Sequence, residues 1–398
     1  MNFARIEEAI SAFASGEFLV VVDDKERENE GDLILAADQV TTEAIAFMVR
    51  YTSGLVCMPV LGERLDELHL PLMVADNTDT HRTSFTVSVD FTPMTTTGIS
   101  AADRAATIRA VVDAATDAGD LARPGHVFPL RYREGGVLRR PGHTEAAVDM
   151  ARLAGLYPAG VLCEIVNDDG SMSRGSQLGD FAKEHGILMV SIADLIAYRR
   201  QIEQLVSRTS EVDLPTSHGS FRAIGYRDHV DGSEHLALVK GNINADGSTL
   251  VRIHSECLTG DVFQSERCDC GAQLAMAISE INRNGSGAIV YLGGHEGRGI
   301  GLLSKLEAYA LQESGRDTVE ANLELGLPVD ARDFTAAAQI LRDLGVSSVK
   351  LMTNNPAKVD VLELAGIKVT ERLPVKVGLT AANRKYLEAK AAKLGHIL

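Results

Sequence analysis

The sequence has no long hydrophobic run. Its longest apolar stretches, such as FLVVV at 18–22, fall far short of the ~20 residues that a helix needs to cross a bilayer. The N-terminus also lacks the basic start and apolar segment of a secretory signal, because Arg5, Glu7 and Glu8 follow a helix-like pattern. These absences predict a soluble, cytoplasmic protein with no membrane partner.

An excess of basic residues is also missing. The chain has 39 Lys and Arg against 55 Asp and Glu, a formal net charge of −16, and neither half has a basic excess. A protein that follows a phosphate backbone needs such an excess, so we expect no nucleic-acid partner. Small anionic substrates remain compatible with this charge where local arginines or bound cations offset the acidic field.

Cysteine is scarce and unevenly distributed. There are 5 cysteines, an odd number, and Cys257, Cys268 and Cys270 lie within fourteen residues. This pattern argues against a disulfide framework and for a reducing compartment in which the thiols bind a metal or take part in catalysis. Cys57 and Cys163 lie in strand-like runs, and we expect both to be buried core thiols.

Length and element pattern indicate two domains. A chain of 398 residues is long for a single core, and 45% hydrophobic with 24% charged residues excludes wholesale disorder. Strand-like and helix-like stretches alternate in both halves, which predicts an α/β protein of two tandem domains, each with a mixed α+β sheet and flanking helices. We expect domains at 1–203 and 220–398, a polar linker at 204–219, and a last helix over 380–394.

The second half contains a cysteine cluster with the spacing of a metal site. In SECLTGDVFQSERCDCG, three thiolates can hold a tetrahedral zinc ion and leave one position open. His254 is the nearest candidate for a fourth ligand, although we expect it on a strand. A bare cluster of reduced thiols is the alternative. A zinc ion with an open position lowers the pKa of its bound water to about 7, which favours hydrolysis.

Other segments of this half suggest a phosphate site. GHEGRGIGL at 294–302 places glycines around Glu296 and Arg298 at a helix start, where backbone N–H groups can approach an anion. A tight turn without a ligand explains this motif equally well. DAR at 330–332 and TNNPAK at 353–358 add polar and charged groups. Taken singly, each is more typical of a solvated surface or a turn.

Together these segments resemble GTP cyclohydrolase II over about residues 220–398. The motifs that carry the resemblance are RIHSEC, CDCG, HEGRGIGL, DTVEAN, DARDF and LMTNNPAK, in this order. That family hydrolyses GTP to 2,5-diamino-6-(5-phosphoribosylamino)pyrimidin-4(3H)-one, formate and pyrophosphate. The resemblance implies attack of a zinc-activated hydroxide on C8 of guanine, with Mg²⁺ accompanying GTP.

The family's site residues carry over by position. Asp330 would accept a proton, and Arg332 is the group proposed to attack the α-phosphate. A protonated guanidinium is a poor nucleophile, however, and stabilises charge on phosphorus more easily. The implied zinc ligands are Cys257, Cys268 and Cys270, and the implied GTP contacts are Arg252, Ile253, His254, Ser255, Glu256, Gln273, Glu296, Gly297, Arg298, Thr318, Thr353 and Lys358.

The first half has an acidic loop, DDKERENEGDL at 23–33, between two strand-like runs. A generic charged loop is the simplest interpretation. Alternatively, Glu28, Glu30 and Asp32 at a strand end hold Mg²⁺, which prefers hard oxygen ligands.

Two further features of this half suggest a site. RRPGHTEA at 139–146 leads into a helix start, where Arg140 and backbone N–H groups suit a phosphate monoester. His143 in that segment is otherwise a surface residue. Glu164 lies in the strand-like run GVLCEIV, where a buried carboxylate without a partner is unfavourable. A functional role for Glu164 is therefore favoured.

These segments resemble 3,4-dihydroxy-2-butanone-4-phosphate synthase over roughly residues 1–200. The motifs are RENEGDL, TTTGISAADRA, RPGHVFPL, RRPGHTEA and GVLCEIVNDDG. That family converts D-ribulose 5-phosphate to L-3,4-dihydroxy-2-butanone 4-phosphate and formate with Mg²⁺ or Mn²⁺, through an enediolate that requires proton transfers. The implied metal ligands are Glu28 and His143, the implied substrate contacts are Arg27, Glu28, Asp32, Arg140, Pro141, Gly142, His143, Thr144 and Glu164, and the residues implied to be essential for turnover are His126 and Glu164.

Three positions depart from the two family patterns. Gly293 stands where the cyclohydrolase usually has arginine, Lys25 where the synthase usually has an acidic residue, and Arg82 where the synthase more often has a smaller residue. None of them is a named catalytic position. Tyr309 matches an active-site tyrosine of the cyclohydrolase family.

The favoured hypothesis is a bifunctional enzyme that supplies two riboflavin precursors, with a lyase in front and a hydrolase behind. Family analogy adds a homodimer with the synthase sites near the subunit interface. One alternative is a chain in which a single domain is active and the other is a scaffold or regulator. The second is a non-enzymatic zinc-binding interaction module, which the acidic balance disfavours.

Overall fold

The computed structural model describes residues 2–243, 247–314, 316, 318–328, 330–380 and 383, and for residues 318 and 319 it describes the backbone only. The chain divides into two compact units, Met1–Ile202 and Glu203–Leu398. No helix in the described ranges combines the length and the apolar character needed to cross a bilayer.

The first unit contains a mixed sheet with helices. Its strands are β1 (Leu19–Val22), β2 (Gly31–Ala36), β3 (Cys57–Val60), β4 (Val89–Phe91), β5 (Leu121–Arg131), β6 (Gly160–Glu164) and β7 (Leu188–Ser191). Its helices are α1 (Ile6–Ala14), α2 (Thr42–Tyr51), α3 (Gly62–Glu67), α4 (Ala101–Val112), α5 (His143–Leu153), α6 (Ser176–His185) and α7 (Ile192–Ile202). The strand order is β4-β5-β3-β6-β2-β1-β7. The β1–β7 and β3–β5 pairs are parallel, and the other neighbours are antiparallel.

Both faces of this sheet are covered by apolar side chains. Within β1, Val20 joins one buried cluster and Leu19 the other, because successive strand residues face opposite sides. Burial on both faces explains why this strand reads as a continuous apolar run rather than an alternating one. Helix α5 packs on the second cluster through Ala147 and Met150, and this packing fixes the position of its first residue, His143.

The second unit has a sheet that is antiparallel on one side and parallel on the other. Its strands are β8 (Val206–Thr216), β9 (Gly219–Asp228), β10 (Glu234–Lys240), β11 (Thr249–Ser255), β12 (Gly287–Leu292), β13 (Ser348–Met352) and β14 (Lys368–Leu373). Its helices are α8 (Leu258–Asp261), α9 (Cys270–Asn284), α10 (Leu302–Glu313), α11 (Thr318–Glu324), α12 (Thr335–Asp343) and α13 (Ala357–Leu364). The strand order is β14-β13-β11-β12-β10-β9-β8. The carboxyl ends of the parallel strands β11, β12 and β13 therefore meet at one edge, the usual ligand position in such sheets.

The two α/β units confirm the predicted fold class, but the linker prediction for residues 204–219 was wrong. Most of that segment is β8, which pairs with β9 along its whole length. Only its first residue, Val206, is buried. An exposed edge strand has no apolar face to show alternation, and it tolerates Pro215 because an edge can leave one N–H unpaired. The helix predicted over 380–394 lies outside the described residues, apart from Thr380 and Asn383.

Candidate active sites

Three cysteine sulfurs meet at the carboxyl end of β11. Cys257 lies just beyond this strand and α9 begins at Cys270. The three Sγ atoms, with that of Cys268, lie within 4.8 Å of one another, and the Cys257 and Cys268 sulfurs are 3.7 Å apart. Glycine is required at position 260, because a Cβ there would come within 2.8 Å of the Cys268 sulfur. Three soft thiolates are compatible with a zinc site that has an open position.

His254 does not belong to this cluster. Its Nε2 atom lies 3.0 Å from Asp261 Oδ1, and its ring stacks on Tyr291. Asp261 also accepts hydrogen bonds from the Cys257 backbone N–H and the Tyr291 hydroxyl. Burial lowers the pKa of His254, so this residue is a neutral support of the cysteine turn. No fourth Cys, His, Asp or Glu joins the three thiols among the residues that the structure describes.

A buried lysine contacts the cluster. Lys305 Nζ donates to Glu296 Oε1 at 2.5 Å, to Thr259 Oγ1 at 2.7 Å and to the Cys257 sulfur at 3.3 Å. Burial lowers the pKa of Lys305, but the bond to Glu296 and the neighbouring thiol charge outweigh this effect and raise it. The ammonium therefore keeps its charge beside the sulfur. Sequence reasoning missed Lys305, whose only signal is its position one turn after the glycine-rich motif.

Two adjoining clefts share Ser255, Cys270 and Arg332 in their walls. The cleft on the thiol side also includes the predicted Glu256, Glu296, Gly297 and Arg298, together with Tyr309. The second cleft includes the predicted Arg252, His254, Gln273, Thr353 and Lys358. Residues from the ends of β11, β12 and β13 are thus brought together, as the sheet edge requires. Ile253, another predicted GTP contact, does not line either cleft, because its side chain is in the apolar core. The side chain of the predicted Thr318 lies outside the described part of the chain.

The floor of the second cleft is a buried polar network. Arg252 donates to Gln273 Oε1 at 2.6 Å and to the Met352 carbonyl at 2.9 Å. Gln273 in turn donates to Asp269 at 2.5 Å, and Lys358 donates to the Ile253 carbonyl. Buried donors held in this way are rigid, so a ligand that enters meets a preset pattern of polar groups.

Asp330 forms a bidentate ion pair with Arg332, which lines both clefts. Arg332 donates through Nε to Asp330 Oδ1 at 2.8 Å and through a terminal nitrogen to Oδ2 at 2.5 Å. Burial raises the pKa of Asp330, but the bonds and charge of Arg332 prevail and lower it. The guanidinium also lies over the Phe334 ring. Arg332 is therefore held as a cation, which suits the stabilisation of phosphate charge.

The first unit contains a second cluster of potential metal ligands. Asp23, Glu28 and His143 place ligand atoms within 4.8 Å of one another. His143 Nδ1 is 3.6 Å from Glu28 and 3.8 Å from Asp32, and its buried Nε2 has no hydrogen-bond partner. Carboxylate oxygens beside one imidazole form a donor set that fits a hard divalent cation. Sequence reasoning missed Asp23, although it directly follows β1 in the acidic loop. Glu30, which was considered as a metal ligand, forms an ion pair with Arg174.

The cluster concentrates opposing charges. Burial raises the pKa of Asp32 to about 7. Burial lowers the pKa of His143, but Asp32 and Glu28 outweigh it and raise the value to about 9. Burial raises the pKa of Glu28, but the bond to His143 and the charge of Arg27 lower it to about 2. Protonated His143 thus balances part of the negative charge of Glu28 and Asp32. A bound metal cation would otherwise balance that charge.

Two guanidinium groups flank the start of α5. A Cβ on Gly142 would lie 2.6 Å from an Arg140 nitrogen and 3.0 Å from an Arg27 nitrogen. Arg140 is held by Glu145 at 2.6 Å and by the His81 carbonyl at 3.1 Å. Two fixed cations at a helix N-terminus form an anion site, as expected for the segment Arg140–Thr144. His81 is a further missed residue, with its Nε2 atom 3.9 Å from Glu28.

Glu164 lies near the metal-ligand cluster, whereas His126 does not join it. Glu164 is the β-sheet partner of Asp32, and its Oε2 accepts the Leu55 N–H at 2.8 Å. His126 lies on β5, which β3 and β6 separate from β2. Its ring nitrogen Nδ1 is 2.7 Å from Asp90. The structure therefore brings Glu164 to the predicted ligands and leaves His126 apart from them.

Comparison with known proteins assigns a family to each of the two units. A 3,4-dihydroxy-2-butanone 4-phosphate synthase family model matches residues 7–198, and a GTP cyclohydrolase II family model matches residues 207–374. The riboflavin biosynthesis protein RibBA of Nocardia farcinica is 56% identical over 100% of this chain and 96% of its own length. This chain belongs to the bifunctional riboflavin biosynthesis proteins.

Other relatives agree in length and fold. The RibBA protein of Mycobacterium bovis is 55% identical over 99% of this chain and 94% of its own length. The crystal structure of RibBX from A. baumannii, described as a two-domain 3,4-dihydroxy-2-butanone 4-phosphate synthase, has a TM-score of 0.71 and 37% identity over 94% of this chain and 100% of that chain. The predicted bifunctional function, with a synthase (lyase) and a cyclohydrolase (hydrolase) activity, is confirmed.

Two features of this bifunctional enzyme bear on the departures from the family patterns. In the cyclohydrolase domain, a Cβ on Gly293 would lie 2.2 Å from the Glu234 carbonyl oxygen, so a side chain there requires a backbone shift. In the synthase domain, Arg82 has a positive φ of 51°, a conformation that glycine adopts at lower cost.

The expected core positions of Cys57 and Cys163 are confirmed, since both thiols are buried, and burial raises the pKa of Cys57.

Proposed function

We propose that each of the two activities of this bifunctional enzyme depends on the metal-ligand cluster of its own domain. The observation that carries the proposal is the presence, in two separate units of one chain, of a three-thiol group and an Asp–Glu–His group. The synthase would act on D-ribulose 5-phosphate and the cyclohydrolase on GTP. A chain with one active domain and one scaffold gains no support, because neither cluster lacks a predicted ligand.

In the cyclohydrolase domain, Cys257, Cys268 and Cys270 would hold Zn²⁺. Zinc in such an open site supplies Lewis acidity and a nucleophile derived from water at neutral pH. The polar network of Arg252 and Gln273 would read the guanine edge, because a base that leaves these buried groups unpaired costs about 1–3 kcal/mol for each group. That difference is sufficient to favour GTP over ATP.

The cations of the same site would hold the triphosphate. Arg298, Lys358 and Arg332 approach the two clefts from different elements, with Mg²⁺ accompanying GTP. Arg332 would stabilise charge on the α-phosphate rather than attack it, since its ion pair with Asp330 keeps it protonated. Asp330 would act as proton acceptor once substrate phosphate competes for Arg332 and the ion pair loosens.

In the synthase domain, Glu28 and His143 would hold Mg²⁺ or Mn²⁺, with Asp23 as an additional ligand. Such a cation stabilises the negative charge of an enediolate on the substrate. Arg27 and Arg140 would bind the phosphate at the start of α5. Glu164, next to Asp32 in the sheet, would transfer protons during the rearrangement that releases formate.

The homodimer remains a prediction, and the position of His126 supports it. Three strand spacings of about 4.8 Å each lie between β5 and β2, so His126 is about 14 Å across the sheet from Asp32 within one chain. A second subunit would bring its own His126 to the site. The cytoplasmic location also remains a prediction, and it is supported by five cysteines that form no disulfide.

Mixing two inactive variants tests this arrangement. If His126 acts across the interface, His126→Ala and Glu164→Gln subunits that exchange at random should regain about a quarter of the synthase activity, because half of the dimers are mixed and one of their two sites is intact. No recovery after verified subunit exchange would place His126 in its own chain's site or outside catalysis.

A paired assay tests the proposed function as a whole. The purified chain is given ribulose 5-phosphate with Mg²⁺, or GTP with Mg²⁺, and formate release is measured for each substrate alongside zinc analysis. We expect both activities and about one zinc per chain. Activity with one substrate only would instead favour the scaffold hypothesis for the other domain.

A further inference from the structure

Asp90, which lies outside the motifs of the synthase family, pairs with His126 in the synthase domain. Both oxygens of the Asp90 carboxylate contact the same residue: Oδ1 accepts the His126 backbone N–H at 2.9 Å, and Oδ2 lies 2.7 Å from His126 Nδ1. Only 12% of the Asp90 side chain is exposed. An ionised carboxylate only accepts hydrogen bonds, so the ring nitrogen that faces it must carry the proton.

The fold builds this pair through an irregular strand pairing. The register of β4 against β5 shifts between Val89, which pairs with Val127, and Asp90, which pairs with Ala122. Residues 123–126 therefore have no regular hydrogen-bonding partner on β4. The Asp90 carboxylate, rather than a backbone carbonyl of β4, accepts the hydrogen bond from the His126 N–H. A bulge that redirects a side chain is a common device near active sites.

A glycine loop closes over the pair. A Cβ on Gly98, which has a φ of +87°, would come within 2.0 Å of Asp90 Oδ2 and 2.5 Å of His126 Nδ1. Asp103 holds this loop by accepting the Gly98 N–H at 3.1 Å and the Thr96 hydroxyl at 2.9 Å. The Nδ1 edge of the ring is thus covered, whereas the His126 side chain as a whole is 41% exposed. The exposure therefore belongs to the opposite edge, which carries Nε2.

We propose that Asp90 is a positioning residue that holds His126 with its proton on Nδ1, so that Nε2 faces the substrate as a proton acceptor. This inference rests on the proposed role of His126 in the synthase reaction. In the proton-transfer step, Nε2 takes a proton from the substrate, Nδ1 keeps its own, and the Asp90 carboxylate stabilises the resulting imidazolium. The proton then returns from Nε2 to a later intermediate, which leaves both residues unchanged.

Asparagine at position 90 provides an isosteric test. The His126 backbone N–H requires an acceptor at the Oδ1 position, so the amide oxygen stays there and the amide NH₂ faces His126 Nδ1. Two donors cannot face each other, and the imidazole must move its proton to Nε2. The ring keeps its place but loses the lone pair that we assign to catalysis. A reversed tautomer of this kind abolishes the general base in the Ser-His-Asp enzymes.

The experiment compares the full-length wild type, Asp90→Asn, His126→Asn and Asp113→Asn after selective ¹⁵N labelling of histidine. The signals that disappear in His126→Asn identify those of His126. Asp113→Asn is the matched control, because it removes a carboxylate charge from the same domain while its amide oxygen can still accept the Ala115 N–H. The cyclohydrolase activity of each chain reports whether the protein is otherwise intact.

We expect wild-type and Asp113→Asn spectra with a protonated Nδ1, and an Asp90→Asn spectrum with a protonated Nε2. The synthase kcat of Asp90→Asn should fall by about 100-fold or more, with normal GTP hydrolysis. A wild-type ring protonated on Nε2, or an unchanged tautomer in Asp90→Asn, would overturn the inference without any measurement of turnover.

The kinetic outcomes separate the inference from the proposed function. If His126→Asn is inactive but Asp90→Asn turns over normally with a reversed tautomer, His126 keeps its role and the inference about Asp90 is wrong. If His126→Asn itself remains active, the proposed role of His126 is wrong, and the catalytic part of the inference is overturned with it.

Discussion

Replacing Lys305 by methionine should weaken zinc binding in the cyclohydrolase domain. The Lys305 ammonium is 3.3 Å from the Cys257 sulfur and 2.5 Å from Glu296 Oε1, and the side chain is buried. Methionine keeps an unbranched apolar stem of similar length and removes the charge. The thiolate then loses a charge-assisted hydrogen bond that offsets the negative charge of a three-thiolate site.

The expected size follows from this geometry. At the 3.3 Å separation, a unit charge pair is worth about 5 kcal/mol before compensation at an effective dielectric constant of ~20. Desolvation of the ammonium, and its bonds to Glu296 and Thr259, offset much of this energy. Groups that hydrogen-bond to metal ligands change metal affinity by about 10- to 100-fold, or roughly 1.4–2.8 kcal/mol. We expect Lys305→Met to lie in this range.

Competition with a chromogenic chelator measures the zinc affinity directly, and Co²⁺ substitution reports the thiolate-to-metal charge-transfer band. Lys350→Met is the matched control, because Lys350 is half-exposed and pairs with Glu371 on the neighbouring strand. Synthase activity should be unchanged in both variants. An unaltered zinc affinity in Lys305→Met would refute the reasoning, as would an equal loss in the control.

Four other changes have distinct expected outcomes. Cys268→Ser should abolish formate release from GTP while ribulose 5-phosphate turnover stays near normal, with Cys163→Ser as the control; equal loss of both activities would mean that the domains are not independent. Glu164→Gln should abolish ribulose 5-phosphate turnover while formate release from GTP stays near normal. Retained synthase activity would show that Glu164 is not a catalytic residue. Arg82→Gly should raise the unfolding temperature by relieving about 1 kcal/mol of left-handed strain, whereas a similar gain in Arg82→Ala would exclude this cause. Burial lowers the pKa of His295 to about 3. Between pH of about 3 and about 6.5, His295 therefore binds a proton in the unfolded chain but not in the folded one. The stability of the cyclohydrolase domain should therefore fall as pH drops through this window, and urea titrations of His295→Gln should show a flatter pH dependence than wild type.

The local sequence predicted the elements that have a regular pattern. The apolar runs of β1 and β12 are buried strands, as expected of strands covered on both faces. The edge strand β8 was missed for the opposite reason, since its exposed residues follow no apolar pattern. Prediction from periodicity thus succeeds where a strand is buried and fails where solvent accepts any polar residue.

The residues of the two candidate sites were also predicted only in part. Cys257, Cys268 and Cys270 meet because they are close in sequence and the short α8 turn returns the chain to one point, so their spacing alone indicated the cluster. Asp23 and Lys305 were missed because a single Asp in an acidic loop, or a single Lys on a helix, does not differ from an ordinary surface charge. Their burial and their partners mark them as parts of a site, and both are tertiary properties.

The sequence by itself determined two α/β domains, two sets of chemical groups and the order in which they occur. Only the tertiary structure decided that Lys305 contacts a sulfur 48 positions earlier in the chain, and that Asp90 contacts a ring 36 positions later. The physical reason is that composition and periodicity record which groups a segment carries and which face it buries. Strand register and helix packing, which depend on the whole core, decide which distant groups come within hydrogen-bonding distance.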